Sequence, residues 1–134
     1  MGAWGSGAFE NDGAMDFVQD VTEGSGLERI ESALAAVLKS KSEYLEAPEA
    51  EEGLAASAML AEILNPAAER ELVPPDVSAW ASKARKPSAE MIEKARQVVL
   101  RVLTAPSELL ELWTESEDFE NWKAGVEAIE ARLY

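Results

Sequence analysis

The segment LAASAMLA, residues 54–61, decides the fold of this chain. Five of its eight residues are alanine or serine, and side chains this small let neighbouring helices approach closely. Pro48, which suits the first position of a helix, precedes the segment, and the helical pattern continues to about Leu64. We therefore predict that this helix, the third of the chain, lies at the centre of a helical bundle.

Apolar residues spaced by three and four positions predict further helices on both sides of this segment. The first of them ends at Gly24. The residues predicted to cap or begin these helices are Asn11 with Asp12, Ser25, Asp76 and Ser88. No segment alternates apolar and polar residues as a strand does. The prediction is a single all-α domain over residues 1–134, an irregular bundle of six or seven short helices.

Two aromatic positions refine this prediction. Trp80 lies on the apolar face of a short helix, so we expect it in the core. The last helix carries an apolar residue at every third or fourth position: Phe119, Trp122, Val126, Ile129 and Leu133. Such spacing forms either the core face of a bundle helix or a dimer seam. We expect the core face, because the apolar faces of the other helices must pack against a further helix. We also expect Arg132 to pair with an acidic residue.

The N-terminal stretch MGAWGSGAFENDGAMDF, residues 1–17, has an unusual composition. Its glycines allow close backbone approaches that a side chain would forbid. Trp4 and Phe9 remove a large apolar area from water when buried. The stretch is therefore predicted to be a loop that packs on the helical bundle through these two rings, followed by a helix capped by Asn11 or Asp12.

The opening Gly2-Ala3-Trp4-Gly5-x-Gly7-x-Phe9-x-Asn11-Asp12 resembles the signature of a small bacterial family catalogued as domain of unknown function 4259. Further segments are similar to that family and extend the likeness over nearly the whole chain: residues 44–48, 107–109, 112–113, Trp122 and 132–133. The sequence departs from the pattern at Gly13, where a second aspartate is expected. The resemblance implies no activity, as the name of the family indicates.

Composition excludes several kinds of chemistry. The 134 residues include no cysteine and no histidine, which excludes thiol nucleophiles, disulfides, Ser-His-Asp triads and zinc sites built from these residues. Catalysis would have to rest on carboxylates, lysine, tyrosine, serine or threonine. We assign no catalytic residue, no metal ligand and no cofactor, and expect a protein that is not an enzyme.

The charge of the chain indicates what it binds. Its formal net charge is −14 at pH 7, so nucleic acid and anionic lipid would repel it, and a charged partner is expected to be a basic protein. No apolar run approaches the roughly 18 residues that a membrane span needs, and the opening lacks the pattern of a signal peptide. We therefore expect a cytoplasmic location.

Half of the twelve basic residues fall between positions 83 and 101: Lys83, Arg85, Lys86, Lys94, Arg96 and Arg101. This basic patch has one of two roles. In the first it binds an anion, and in the second its side chains pair with other residues of the chain or face solvent. Charge runs are usually solvated faces, so we expect the second role.

These observations predict a non-catalytic acidic module that binds protein, with a bacterial immunity or inhibitor role as its sharpest form. The candidate binding residues belong to the N-terminal loop and to the acidic start of the third helix: Trp4, Phe9, Asn11, Asp12, Glu49, Glu51 and Glu52. One alternative is a metal-dependent enzyme that uses Asp12, Asp16 and a glutamate of the third helix. Another is a structural homo-oligomer built on the last helix.

Overall fold

The computed structural model describes residues 5–134, the side chains of Ser25 and Arg70 excepted, and this part of the chain forms seven α-helices and no strand. The helices are α1 (Asp12–Asp20), α2 (Gly26–Leu38), α3 (Ala47–Leu64), α4 (Pro75–Lys83), α5 (Ala89–Val102), α6 (Glu108–Thr114) and α7 (Phe119–Ala131). A short 3₁₀ turn, Arg70–Leu72, lies in the loop between α3 and α4. The predicted all-α bundle of six or seven helices is confirmed.

Helix α3 lies at the centre of the bundle, as its small residues predict. It packs against all six other helices, and every residue from 53 to 62 is buried. A Cβ atom added at Gly53 would lie 2.5 Å from Cγ2 of Val37 in α2 and 3.1 Å from Cγ1 of Val98 in α5. The absence of a side chain at Gly53 therefore sets how closely α2, α3 and α5 approach one another.

The connection between α1 and α2 differs from the prediction. A π-helical turn, Val21–Ser25, joins the two helices, and the N–H of Gly26 donates to the carbonyl of Val21, five residues earlier. Gly24 has a non-helical φ of +156° inside this turn, so the predicted helix end at Gly24 is confirmed, and the side chain of Ser25, the predicted cap, lies outside the described residues. The positive φ values of Gly24 (+156°) and Gly26 (+52°), which glycine adopts readily, break the helix here and let α2 begin after the kink.

The other predicted helix starts are mostly confirmed. Asn11 caps α1 and Ser88 caps α5 through side-chain bonds to backbone N–H groups. Asp76 is not a cap, because Pro75 already occupies the first turn of α4, where its missing N–H costs nothing. Trp80 is partly buried and packs against the core, so its predicted place in the core is confirmed only in part.

The apolar face of α7 belongs to the core of the chain. Trp122, Val126, Ile129 and Leu133 are buried, while Phe119 is partly buried. Because α3, α5 and α6 cover this face, the predicted core role is confirmed.

The end of α7 is tied to the end of α3 by polar contacts. Arg132 Nη2 lies 3.0 Å from Oε1 of Glu62, a side chain that is only 2% exposed. Arg132 Nε donates to the carbonyl of Asn65 at 2.9 Å, and Asn65 Nδ2 donates to the carbonyl of Arg132 at 2.8 Å. The prediction that Arg132 pairs with an acidic residue is confirmed.

Candidate functional site

The described part of the N-terminal loop, residues 5–10, folds around the side chain of Glu10. The N–H of Gly7 donates to Glu10 Oε1 at 2.9 Å, and the N–H of Glu10 donates to the carbonyl of Gly7 at 3.0 Å. A Cβ atom added at Gly5 or Gly7 would lie 2.5 or 2.7 Å from a carboxylate oxygen of Glu10. The two glycines therefore leave room for the Glu10 carboxylate.

Two of the predicted binding residues have structural roles. Phe9 is 7% exposed and belongs to the core, and Asn11 is 8% exposed. The Asn11 side chain accepts a hydrogen bond from the N–H of Ala14 at 2.7 Å and donates to the carbonyl of Ala8 at 3.4 Å. Both residues are thus engaged within the fold, and Trp4, the third loop residue in the prediction, lies outside the described residues.

Aromatic side chains of α6 and α7 support the loop. The rings of Trp113 and Trp122 stack with centroids 6.1 Å apart and planes 9° apart. The small cavity between them, the loop and α3 has a volume of about 10 Å³ and is lined by Gly7, Ala8, Asn11, Glu51, Leu54, Leu109, Trp113 and Trp122. This volume is close to that of a single water probe, so the cavity has no room for a larger ligand.

The predicted acidic residues of α1 and α3 come together only in part. A Cβ atom added at Gly13 would lie 3.2 Å from Glu51 Oε1, which places Glu51 beside the start of α1. Burial raises the pKa of Glu51, and the negative charges of Glu108 and Asp12 raise the pKa further. Glu52 instead forms an ion pair with Arg29 of α2 at 3.0 Å. The site therefore includes Asp12 and Glu51 but not Glu52.

Glu49 lies in the first turn of α3 and is partly buried. Its Oε2 atom is buried and has no hydrogen-bond partner among the described residues. The negative charge of Glu49 suits the positive end of the helix.

Sequence reasoning missed three further acidic residues, which surround Tyr44. The Tyr44 hydroxyl donates to Glu111 Oε1 at 3.1 Å, and the N–H of Ala47 donates to Glu108 Oε1 at 2.8 Å. Desolvation and the hydrogen bond to Glu111 raise the pKa of Tyr44, and the charges of Glu111, Glu108 and Glu46 add to this effect. Tyr44 itself is 49% exposed.

We call the five residues Asp12, Glu46, Glu51, Glu108 and Glu111 the acidic surface. The hydrogen bond from Ala47 to Glu108 and the closeness of Gly13 to Glu51 show that the starts of α1, α3 and α6 lie side by side. Within residues 5–134, none of the five forms an ion pair with a described lysine or arginine side chain. Among the described residues, the acidic surface is therefore a group of carboxylates without an ion pair to lysine or arginine.

Arg101 holds the segments of the acidic surface together. Its guanidinium donates to the carbonyls of Lys41 at 2.8 Å and Glu43 at 2.6 Å, and also to those of Thr104 and Pro106. Beside it, the N–H of Leu45 donates to the carbonyl of Pro106, and the N–H of Glu108 donates to the carbonyl of Leu45. These bonds fix residues 41–46 against the start of α6.

The basic patch is divided between two roles. Arg101 is used within the chain, as is Arg96, whose guanidinium donates to the carbonyl of Leu133 at 2.6 Å and lies 3.9 Å from the ring centroid of Tyr134. Lys94 forms an ion pair with Glu90 of its own helix at 3.3 Å. Lys83, Arg85 and Lys86 are exposed. The expected use within the chain is confirmed for Arg96, Arg101 and Lys94, and the role of the three exposed residues stays a prediction.

The described residues contain no group of three or more acidic side chains placed to hold a metal ion. Asp12, Asp16 and a glutamate of α3 thus do not form the cluster that the metal-dependent alternative requires.

In the part of the chain that the structure describes, every helix is too short or too polar to cross a bilayer.

Comparison with known proteins gives a family and no activity. A family model described as a domain of unknown function, DUF4259, matches residues 2–125. No curated protein and no solved structure matches the chain. The matched region contains the N-terminal loop and all five residues of the acidic surface, and ends within α7. The chain therefore belongs to the DUF4259 family, the family that its N-terminal motif resembles.

Proposed function

We propose that this protein is a non-catalytic module that binds a basic partner protein through the acidic surface. The observation that supports the proposal is that carboxylates from α1, α3, α6 and the segment before α3 adjoin one another without compensating ion pairs in the described structure. A partner that places lysine or arginine side chains there relieves the mutual repulsion of these carboxylates. An immunity or inhibitor role is the sharpest form of the proposal.

Tyr44 gives the acidic surface an aromatic contact at its edge. The ring is half exposed, and its hydroxyl is held by Glu111. Leu112, the neighbour of Glu111, is 36% exposed. Tyrosine is enriched among the residues that dominate binding energies, and charge complementarity mainly accelerates association. We therefore propose that Tyr44 anchors the partner and that the carboxylates attract it.

The net charge limits where such a module acts. At −14, the chain is repelled by nucleic acid and by anionic membranes. As part of the same proposal, the protein acts in the bacterial cytoplasm and binds neither of these.

The experiment compares two variants of equal charge. In the first, Glu46, Glu51, Glu108 and Glu111 are replaced by glutamine, which keeps hydrogen-bond acceptors for Ala47 and Tyr44. In the second, the exposed residues Glu115, Glu117, Glu120 and Glu127 are replaced in the same way. Partners captured from host lysate by the wild type are then titrated with all three purified proteins by surface plasmon resonance.

We expect the first variant to associate with the partner about ten times more slowly at low salt and the second to associate like the wild type. Raising the ionic strength should reduce the difference. An equal decrease of the association rate in both variants would show that only the net charge of the protein determines this rate. Unchanged binding of the first variant would refute the acidic surface as the binding site.

A further inference from the structure

A shallow groove separates α4 from the junction of α1 and α2. One wall is formed by the π-helical turn and the first turns of α2, and the other by α4 and the connection to α5. Three adjoining cavities of about 500, 310 and 300 Å³ share Trp80, Ala84 or Leu27 in their linings. The groove therefore runs continuously past the partly exposed ring of Trp80.

The floor of the groove includes apolar side chains. Leu27 and Trp80 are partly buried and pack on the core, and Met91 closes one end. A Cβ atom added at Gly26 would meet nothing within 4 Å, so the backbone there is open to a bound molecule.

The two rims of the groove carry opposite charges. Lys83, Arg85 and Lys86 lie on the rim formed by α4 and its connection to α5, and Glu23, Glu28 and Glu31 lie on the opposite rim. All six residues are exposed. Within the described residues, no ion pair joins the two rims. Each rim is thus free to pair with a molecule that lies between them.

We propose that this groove binds an amphipathic helix of a partner protein whose apolar stripe has an acidic flank on one side and a basic flank on the other. The apolar stripe contacts Trp80 and Leu27, the acidic flank faces the lysine and arginine rim, and the basic flank faces the glutamate rim. A helix in an apolar groove is a common mode of recognition. A segment with flanks of one sign would be repelled by one of the two rims.

The groove is distinct from the acidic surface, since the two share no residue. Asp76, which also lines the groove, lies in the first turn of α4, where its charge favours the helix start. The proposal for the groove therefore does not depend on the proposed function, and each is tested separately.

The test uses three helical peptides of about twelve residues with the same leucine stripe. One has a glutamate flank and a lysine flank, the second has glutamate on both flanks, and the third has lysine on both. The protein is labelled with 5-fluorotryptophan, and the ¹⁹F resonance of Trp80 is assigned with Trp80→Phe. Titration of the Trp80 resonance reports binding in the groove and ignores binding at the acidic surface.

We expect the peptide with mixed flanks to shift the Trp80 resonance and to bind about ten times more tightly than either peptide with flanks of one sign. Combining Lys83→Glu, Arg85→Glu and Lys86→Glu should reverse the preference in favour of the lysine peptide. These side chains are exposed, so the variant should fold, and Lys123→Glu at another exposed position should keep the preference of the wild type.

Three results would overturn the proposal. In the first, no peptide shifts the Trp80 resonance. In the second, all three peptides bind equally to the wild type. In the third, the Trp80 resonance shifts with protein concentration in the absence of peptide, which would identify a second copy of the chain as the occupant.

Discussion

The two ends of α3 place a glutamate in opposite surroundings. Near the C-terminal end, the carboxylate of Glu62 is almost fully buried, and it accepts hydrogen bonds from Arg132 Nη2 at 3.0 Å and the N–H of Ala67 at 3.1 Å. Near the N-terminal end, Glu51 is only partly buried, but Asp12 and Glu108 add negative charge to its surroundings. The more deeply buried carboxylate is therefore the better compensated one.

This difference separates a structural contact from a candidate binding surface. A buried carboxylate is tolerated when cations and hydrogen-bond donors surround it, and it then joins the elements that carry them. Glu62 joins α3 to α7 in this way. Carboxylates without a lysine or arginine partner favour a ligand that supplies positive charge. Among the described residues this is the condition of Glu51 and of Glu108 and Glu111, whose hydrogen-bond donors are neutral.

The largest expected effect comes from breaking the contact at the C-terminal end of α3. Arg132→Leu removes the ion pair to the buried carboxylate of Glu62 and the hydrogen bond to the carbonyl of Asn65, so we expect the free energy of unfolding to fall by about 3 kcal/mol. Urea denaturation at pH 7 measures the change. Arg85→Leu, the same substitution at an exposed position, should alter stability by less than about 0.5 kcal/mol. Equal effects of the two substitutions would contradict a structural role for the contact.

An intermediate effect is expected from the middle of α3, which sets the position of both ends. Gly53→Ala places a methyl group against Val37 and Val98, and we expect it to lower the free energy of unfolding by about 1 to 3 kcal/mol. Gly125→Ala in α7 meets no atom within 4 Å and should raise it by about 0.5 to 1 kcal/mol through helix propensity. Thermal unfolding followed by circular dichroism compares the two variants. Stabilisation by both substitutions would show that the neighbours of Gly53 move to make room for a methyl group.

The smallest changes in the free energy of unfolding are expected at the N-terminal end of α3. They have opposite signs for the adjacent residues Glu51 and Glu52. Burial raises the pKa of Glu51 in the folded protein, so its ionised form is unfavourable and Glu51→Gln should raise the free energy of unfolding at pH 7. Glu52→Gln removes a partly exposed ion pair with Arg29 and should lower it by up to about 1 kcal/mol.

The pH dependence identifies the cause of the Glu51 effect. Because the pKa of Glu51 is higher in the folded state, the wild type loses stability as the pH rises through that pKa. The advantage of Glu51→Gln should therefore disappear below the ordinary glutamate pKa of 4.5, where the wild-type residue is protonated in both states. An advantage that stays constant from pH 7 to pH 4 would exclude ionisation as its source.

The residues of the candidate site show how far sequence reasoning reaches. Capping by Asn11 and Ser88 was predictable, because a cap depends on residues within one turn of the helix. The association of Asp12 with Glu51 agrees with the prediction that the N-terminal loop and the acidic start of the third helix both supply binding residues. Glu108 and Glu111 were missed, since the contacts that bring them to Tyr44 join residues more than 60 positions apart.

The sequence by itself determined the helices, the central place of α3 and the family, because these depend on local periodicity, on small residues and on a motif of adjacent positions. Only the tertiary structure decided which acidic residues are compensated. Glu51 and Glu52 are neighbours in sequence, but they face different helices, and Arg29 reaches only Glu52. The physical reason is that electrostatic compensation depends on distances between side chains of different helices, which the packing of the bundle sets.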